Sequence, residues 1–249
     1  MAQTSEPGAS VTARVLRVLE AFRVERQRMT LSEIAYWAGL PLSTAHRLVG
    51  ELVKWGALER DGDERYHVGL RLWEIAALSP RSAGLREVAL PYLEDLYEAT
   101  HENVQLAVLD GIEAVYVERL CGRGAVNAIS RVGGRLPLHA TGVGLVLLAY
   151  SDHEFQEQVL AAPLRRFGPK TITSPRHLRR VLAVVRQERV AVSDRQIEME
   201  TLSVAAPVFG PSDRVVAALS IVISARCSPS AYIPAVRTAA RSVSRALCG

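Results

Sequence analysis

Lysine is almost missing from this 249-residue chain: Lys54 and Lys170 are the only two, against 28 arginines. The basic side chains are therefore nearly all planar guanidinium forks, suited to bidentate pairing with carboxylates and phosphates. Cysteine is scarce as well. Cys121, Cys227 and Cys248 lie far apart, which excludes a disulfide framework and a paired-thiol motif and points to a reducing compartment. Aromatic residues make up only 6%, so aliphatic side chains must fill the core. Apolar stretches such as Val143–Tyr150 fall well short of the roughly 20 residues that span a bilayer. The opening MAQTSEPGAS has no apolar stretch behind a basic start and does not read as a secretory signal. A soluble cytoplasmic protein without membrane contact is expected. Hydrophobic residues at 49% and charged residues at 22% exclude a low-complexity chain.

Bulk charge says little about partners. The net charge is +4, yet residues 1–80 hold ten basic and ten acidic side chains, so the whole surplus belongs to residues 81–249. If the first eighty residues bind nucleic acid, they do so through a locally basic face.

Patterning in that region is specific. Val11, Val15, Val18, Leu19 and Phe22 recur at helical spacing, with Arg14 and Arg17 on the other face. Thr30-Leu-Ser-Glu33 fits a reciprocal capping box and opens a short helix that buries Leu31, Ile34 and Ala35 and stops at Gly39. Pro41 suits the first turn of a third helix, whose stripe is Ala45, Leu48, Val49, Leu52 and Val53 and whose stop is Trp55-Gly56. Helix, tight turn, helix is the helix-turn-helix arrangement, in which the second helix enters the major groove of double-stranded DNA. Ser43, Thr44, His46 and Arg47 occupy exposed positions near the start of that helix and donate hydrogen bonds to phosphates or base edges, with Lys54 two turns on. Ser43 has a second reading, as a helix cap. Ala57–Arg60 and Arg65–Val68 flank an Asp-Gly turn and read as a hairpin, a wing that directs Arg60 and Arg65 toward the DNA backbone or minor groove.

Beyond the wing, Leu70, Leu72, Trp73, Ile75, Ala76 and Leu78 read as a linker helix, and Pro80–Gly84 breaks the pattern. A helix over 85–100 follows. Residues 104–109, 114–118 and 125–131 then alternate as strands. Helices are expected at about 142–150, 152–161 and 175–188, and strands at about 190–193, 202–209 and 214–223. A last helix opens at Ser228-Pro229. The chain divides into a disordered tail (1–9), a winged helix-turn-helix (10–69), a linker helix (70–83) and an α+β sensor domain (84–249).

Enzyme motifs are lacking. The six histidines are isolated, without metal-ligand spacing. Gly142-Val-Gly144 does not continue as a dinucleotide-binding fingerprint, and the nucleophile-elbow and P-loop patterns do not occur. His139 reads as a core or capping residue. No catalytic residue, metal or cofactor is assigned. Two other readings stay open: an enzyme or small-molecule carrier fused to a helix-turn-helix used for protein contacts, and a constitutive DNA-binding scaffold with a collapsed pocket.

Taken in order, several blocks resemble the IclR family of bacterial transcriptional regulators. They are Thr30-Leu-Ser-Glu-Ile-Ala35, Ala38–Leu48 (Ala-Gly-Leu-Pro-Leu-Ser-Thr-Ala-His-Arg-Leu), Arg65–Leu72, Gly134–Gly142, Leu164–Phe167 with Thr171–Thr173, Val204–Phe209 and Arg214–Ile221. The resemblance covers about residues 10–247. Leu42 stands where the family usually carries a polar residue. The resemblance implies a GAF/PAS-like α+β effector-binding domain, a homodimer or dimer of dimers on a palindromic operator, and a repressor of a catabolic operon. It also implies dimer contact through the linker helix.

The same resemblance implies a pocket for a small organic acid. Gly142 and Val143 would offer backbone N–H groups at a helix start. The family's cysteine position falls on Ser203, one strand serine on Ser220, the other on Val222, and the acidic position on Ser193 or Asp194. Ala125 and Ala128 match a wall given by an earlier strand. Val222 replaces a hydroxyl with apolar surface, and the two alanines leave room. The expected effector is therefore larger and less polar than a two- or three-carbon oxoacid, an aromatic acid being the favoured case.

Overall fold

A computed structural model describes residues 9–79, 83–122 and 124–249. The expected tail falls, except for Ala9, outside the described residues, as do positions 80–82 of the expected linker. By its contacts the chain forms two compact units, Met1–Pro80 and Arg81–Gly249.

The first unit runs α1 (Val11–Glu20), α2 (Leu31–Ala38), α3 (Leu42–Trp55), β1 (Leu58–Arg60), β2 (Tyr66–Val68) and α4 (Leu70–Ala76). Local chemistry sets each boundary. The Ser10 hydroxyl accepts from the Ala13 N–H and starts α1. The Thr30 N–H donates to the Glu33 carboxylate at 2.7 Å while the Glu33 N–H donates to Thr30 Oγ1 at 3.3 Å, so the capping box of α2 is closed from both sides. Gly39 takes a φ of 62° and Gly56 a φ of 89°, the left-handed conformation that ends α2 and α3. Pro41 sits one residue earlier than the sequence suggests, at the cap position before α3, with extended ψ of 143°.

Val18, Met29, Ile34, Ala45, Leu48, Val49 and Leu58 form the buried core of this unit. The wing is tied to it by backbone. Met29 and Tyr66 exchange N–H···O bonds of 2.9 and 2.7 Å, which anchors β2 to the segment before α2. On α4, Leu70, Trp73, Ile75 and Leu78 just past its end are all exposed.

The second unit opens with α5 (Ala83–Thr100), then β3 (Asn103–Asp110), β4 (Glu113–Leu120), β5 (Arg135–Pro137), α6 (Gly142–Ala149), α7 (His153–Ala161), α8 (Pro175–Glu188), β6 (Ala191–Asp194), β7 (Thr201–Phe209), β8 (Val215–Ser224) and α9 (Ile233–Cys248). The six strands form one sheet in the order β5-β4-β3-β8-β7-β6, antiparallel throughout. Alternation along the strands gives the sheet two buried faces. Leu106, Val204, Leu219 and Ile221 pack under α5 and α9, while Ala107, Ala205 and Ala218 pack under α6 and α8. Burial on both faces explains why these strands read as nearly continuous apolar runs. The architecture is α+β, with the helices layered on both sides of an antiparallel sheet.

Two sequence expectations are corrected. Residues 125–131 form no strand, and the short β5 takes the place beside β4. The segment is held instead by side chains that replace a ladder. Asn103 Nδ2 donates to the Val126 carbonyl at 2.7 Å, Gln105 Nε2 to the Ser130 hydroxyl, and Arg119 to the Ser130 carbonyl. At the C-terminus, Pro229–Ala231 make one 3₁₀ turn, and α9 starts only at Ile233.

Candidate functional site

Two features carry chemistry, one in each unit. In the first, the helix-turn-helix is α2, the Gly39 turn and α3. Ser43, His46 and Arg47 on α3 are exposed and Thr44 is half-buried, because Ala45, Leu48, Val49 and Leu52 take the inward face. No side chain caps α3, so Ser43 is not spent on that task. The first N–H groups of α3 have no acceptor within the helix, and such an end suits a phosphate. Lys54 is exposed in the last turn, where a cation complements the helix dipole. Among the described residues, neither Arg47 nor Lys54 forms an ion pair.

The other basic candidates are already engaged. Arg14 is half-buried on α1, with Nε 3.5 Å from the Ser10 carbonyl. Arg60 pairs with Glu64 at 2.8 Å and lies over the Tyr66 ring. Arg65 Nη1 stands 3.5 Å from both the Glu33 carboxylate and the Arg28 carbonyl, so it braces the wing against α2. Hydrogen bonds from Thr30 hold the Glu33 carboxyl below its usual range, and backbone donors, led by the Arg65 N–H, do the same for Asp61.

In the second unit a small cavity lies between the start of α6 and the sheet. Its volume is about 50 Å³, far below the roughly 300–1,000 Å³ of ordinary ligand pockets. Strand register explains its floor. Ser193, Ser203 and Val222 are direct cross-strand partners on β6, β7 and β8, one row pointing toward α6. Tyr116, Leu136, Ala140, Thr141 and Gly142 form one side, and Ala128, Ile129 and Ser130 cover it. Gln196, Ile197, Glu198 and Thr201 close the far side, and Glu198 Oε2 accepts the Ile129 N–H at 3.1 Å. Burial pushes the Tyr116 phenol well above its usual range, so it stays neutral.

The start of α6 approaches the sheet closely. A Cβ on Gly142 would lie 2.6 Å from Ser203 Oγ, and one on Gly144 would lie 2.5 Å from the Leu138 backbone. Thr141 caps the helix by accepting the Gly144 N–H at 3.1 Å. The N–H groups of Gly142 and Val143 have no acceptor within α6, so this end presents donors and a positive dipole end.

The sequence-derived candidates are thus brought together only in part. Ala128, Gly142, Ser193, Ser203 and Val222 line the cavity. The Val143 side chain is buried in the core beside α8. Ser220 lies fully buried one row deeper, its hydroxyl 3.5 Å from Gln105 Oε1. The pleat turns Asp194 away from Ser193, and its carboxylate pairs with Lys170 and Arg195. Ala125 is half-buried and does not line the cavity, and the wall assigned to a strand is the irregular segment ending in Ser130. Gln105, Tyr116, Gln196 and Glu198 were missed. Gln105 had a readable signal, a polar residue inside Val104-Gln-Leu-Ala-Val108, because a buried polar group is the informative exception in an apolar strand.

A winged helix-turn-helix followed by an α+β domain with a small, mixed-polarity cavity is the architecture of a ligand-responsive DNA-binding transcriptional regulator. The "IclR helix-turn-helix domain" matches residues 11–62 and the "Bacterial transcriptional regulator IclR C-terminal" domain matches residues 78–246. The chain belongs to the IclR family of bacterial transcriptional regulators. It is similar to an IclR homolog from Microbacterium hydrocarbonoxydans, solved in complex with 4-hydroxybenzoate, at 42% identity and a TM-score of 0.92 over 96% of this chain and 99% of that one. An IclR homolog from Microbacterium sp. strain HM58-2 shares 40% identity with a TM-score of 0.63, covering 95% of this chain and 97% of that one. The HTH-type transcriptional regulator XynR of Escherichia coli is 32% identical over 84% of this chain and 83% of its own. No helix among the described residues is long and apolar enough to cross a membrane.

Proposed function

We propose that this regulator represses a catabolic operon and is released by a small aromatic carboxylic acid that enters the cavity beneath α6. The observation that carries the reading is the pairing of chemistries across that cavity. One end offers the Gly142 N–H and the Ser203 hydroxyl to a carboxylate, with Val143 next along the start of α6 and Ser193 donating to the Ala140 carbonyl at 3.2 Å. The rest is lined by Ala128, Ile129, Leu136, Ala140 and Val222, which suit a ring. Val222 occupies the row where a hydroxyl would favour a short, polar acid. The 4-hydroxybenzoate held by the Microbacterium hydrocarbonoxydans homolog supports the ring-bearing class.

The cavity is too small for such a ligand as it stands, so binding displaces the cover at 126–130. That cover hangs on side-chain hydrogen bonds from Asn103, Gln105 and Arg119 and on Glu198. Its displacement gives the ligand differential affinity for two conformations, the requirement for a population shift. On the DNA side, Ser43, Thr44, His46, Arg47 and Lys54 of α3 read and grip the major groove. Arg14, Arg60 and Arg65 steady the complex from the flanks. A homodimer, assembled through the exposed apolar face of α4, places two α3 helices on a palindromic site.

Calorimetry with 4-hydroxybenzoate, benzoate, glyoxylate and pyruvate tests the ligand class. The aromatic acids should bind and the short oxoacids should not, and the opposite result overturns the assignment. A gel shift on the promoter region beside the gene, with and without the binding acid, tests repression and release.

A further inference from the structure

The positive surplus of the chain lies outside the DNA-binding unit, and the fold gathers much of it in one groove. β6 is four residues long and β7 nine, so β6 covers Leu202–Ala205 and leaves Ala206–Phe209 as a bare sheet edge. α9 flanks that edge on one side and the end of α8 on the other. The result is a groove of about 390 Å³, within the roughly 300–1,000 Å³ range of ligand pockets. Its floor is Ala206, Pro207, Phe209 and Ala240, and its rim carries Arg189, Arg237, Arg241 and Arg245.

These arginines are poorly neutralised. Arg237 is fixed by the carbonyl and carboxylate of Glu188. Arg189 lies 6.0 Å over the Phe209 ring, and Arg245 donates to the Ser242 hydroxyl at 3.2 Å. Among the described residues, Arg189, Arg241 and Arg245 have no carboxylate partner. Three exposed guanidinium groups without carboxylate partners stand around one apolar floor, and they match a dianion better than a single carboxylate. Pro207 lacks an N–H, which argues against a peptide strand adding to this edge.

We propose that this groove is a second ligand site, for an organic phosphate monoester whose compact apolar body rests on Pro207, Phe209 and Ala240 while Arg189, Arg241 and Arg245 hold the phosphate. The site lies along the open edge of β7 beside α9 and shares no lining residue with the cavity beneath α6, so the protein has room for two ligands at once.

The test is calorimetry on the full chain with phenyl phosphate, compared with inorganic phosphate. Phenyl phosphate should bind at least about tenfold more tightly, because the ring adds apolar contact. Replacing both Arg241→Ala and Arg245→Ala, two exposed residues whose loss leaves the core intact, should weaken phenyl phosphate at least about tenfold and leave 4-hydroxybenzoate unchanged. Val222→Ser should do the reverse. Equal binding of the two phosphates, or no effect of the arginine changes, overturns the proposal. If the double variant keeps phenyl phosphate binding and instead loses operator affinity or changes its sedimentation, the groove faces DNA or a second copy and the ligand site is rejected.

Discussion

Gly142 faces Ser203 with no room for a side chain between them: a single Cβ on Gly142 would stand 2.6 Å from the Ser203 hydroxyl. Real atoms do not approach so near, and Ser203 Cβ and Ala205 Cβ would both stand at 3.3 Å, so Gly142→Ala must turn the Ser203 hydroxyl aside and shift the start of α6 by a few tenths of an ångström. The backbone itself adopts ordinary helical geometry there, and the cost is steric alone. A destabilisation of about 1–3 kcal/mol is expected, the usual range for overpacking, with ligand affinity reduced at least about tenfold. Adding Ser203→Ala removes the clashing oxygen and should recover most of the stability. Thermal denaturation and calorimetry on the single and double variants check this, and a single variant with unaltered stability would refute the close approach.

Val222 sits directly across from Ser203 on the cavity floor. Val222→Ser trades apolar wall for a hydroxyl and should weaken an aromatic acid by about 1–3 kcal/mol, the worth of small apolar changes in a pocket. The same change should improve binding of a short oxoacid, measured by the same titrations. Unchanged preference between the two acid classes would remove Val222 from the determinants of specificity.

The pH response of the first unit follows from Glu33 and Asp61. Both carboxyls are held below their ordinary values, Glu33 by Thr30 and Asp61 chiefly by the Arg65 N–H. A depressed folded-state value means the stabilisation is complete above the ordinary carboxylate range and is lost as pH falls through the lowered one. The winged unit should therefore melt earlier as pH drops below about 4.5. Glu33→Gln should flatten that dependence. The only tryptophans are Trp37, Trp55 and Trp73, so tryptophan fluorescence reports this unit by itself. A melting curve independent of pH between 6 and 3 would contradict the assignment.

Local signals were legible and distant ones were not. Thr30 with Glu33, Gly39, Gly56 and the Asp61-Gly62 turn each declare a boundary within a few residues, so the helix-turn-helix and wing could be placed from sequence. Residues 125–131 alternate like a strand but have no ladder, because Asn103, Gln105 and Arg119 claim them from more than ten positions away. Nothing in their own composition reports those partners. The cavity shows the same divide. The start of α6 and the serines of β6 and β7 were found by family resemblance, while Glu198, which reaches Ile129 across 69 positions, was invisible. Asp194 failed for a simpler reason: in a strand, one position along is the opposite face.

The basic side chains of the first unit divide by what already holds them, and DNA binding should divide the same way. Arg47 is exposed near the start of α3 and forms no ion pair among the described residues. Arg47→Ala should weaken operator binding by about 1–3 kcal/mol and relax preference at one position of each half-site. Lys54 stands exposed two turns further on, and the proposed docking sets it against the phosphate backbone. Lys54→Ala should weaken all sequences alike and reduce the salt slope by about one. Arg65 is different, since Glu33 and the Arg28 carbonyl already brace it. Arg65→Ala should lower the melting temperature of the wing read by tryptophan fluorescence, and change the salt slope less than Lys54→Ala does. Gel shifts over a range of salt, on operator and scrambled DNA, separate the three outcomes. If Arg65→Ala cuts the salt slope and leaves stability untouched, its place belongs with Lys54 on the phosphate backbone, and the wing is braced by the Met29–Tyr66 backbone pair and the Arg28–Asp61 ion pair.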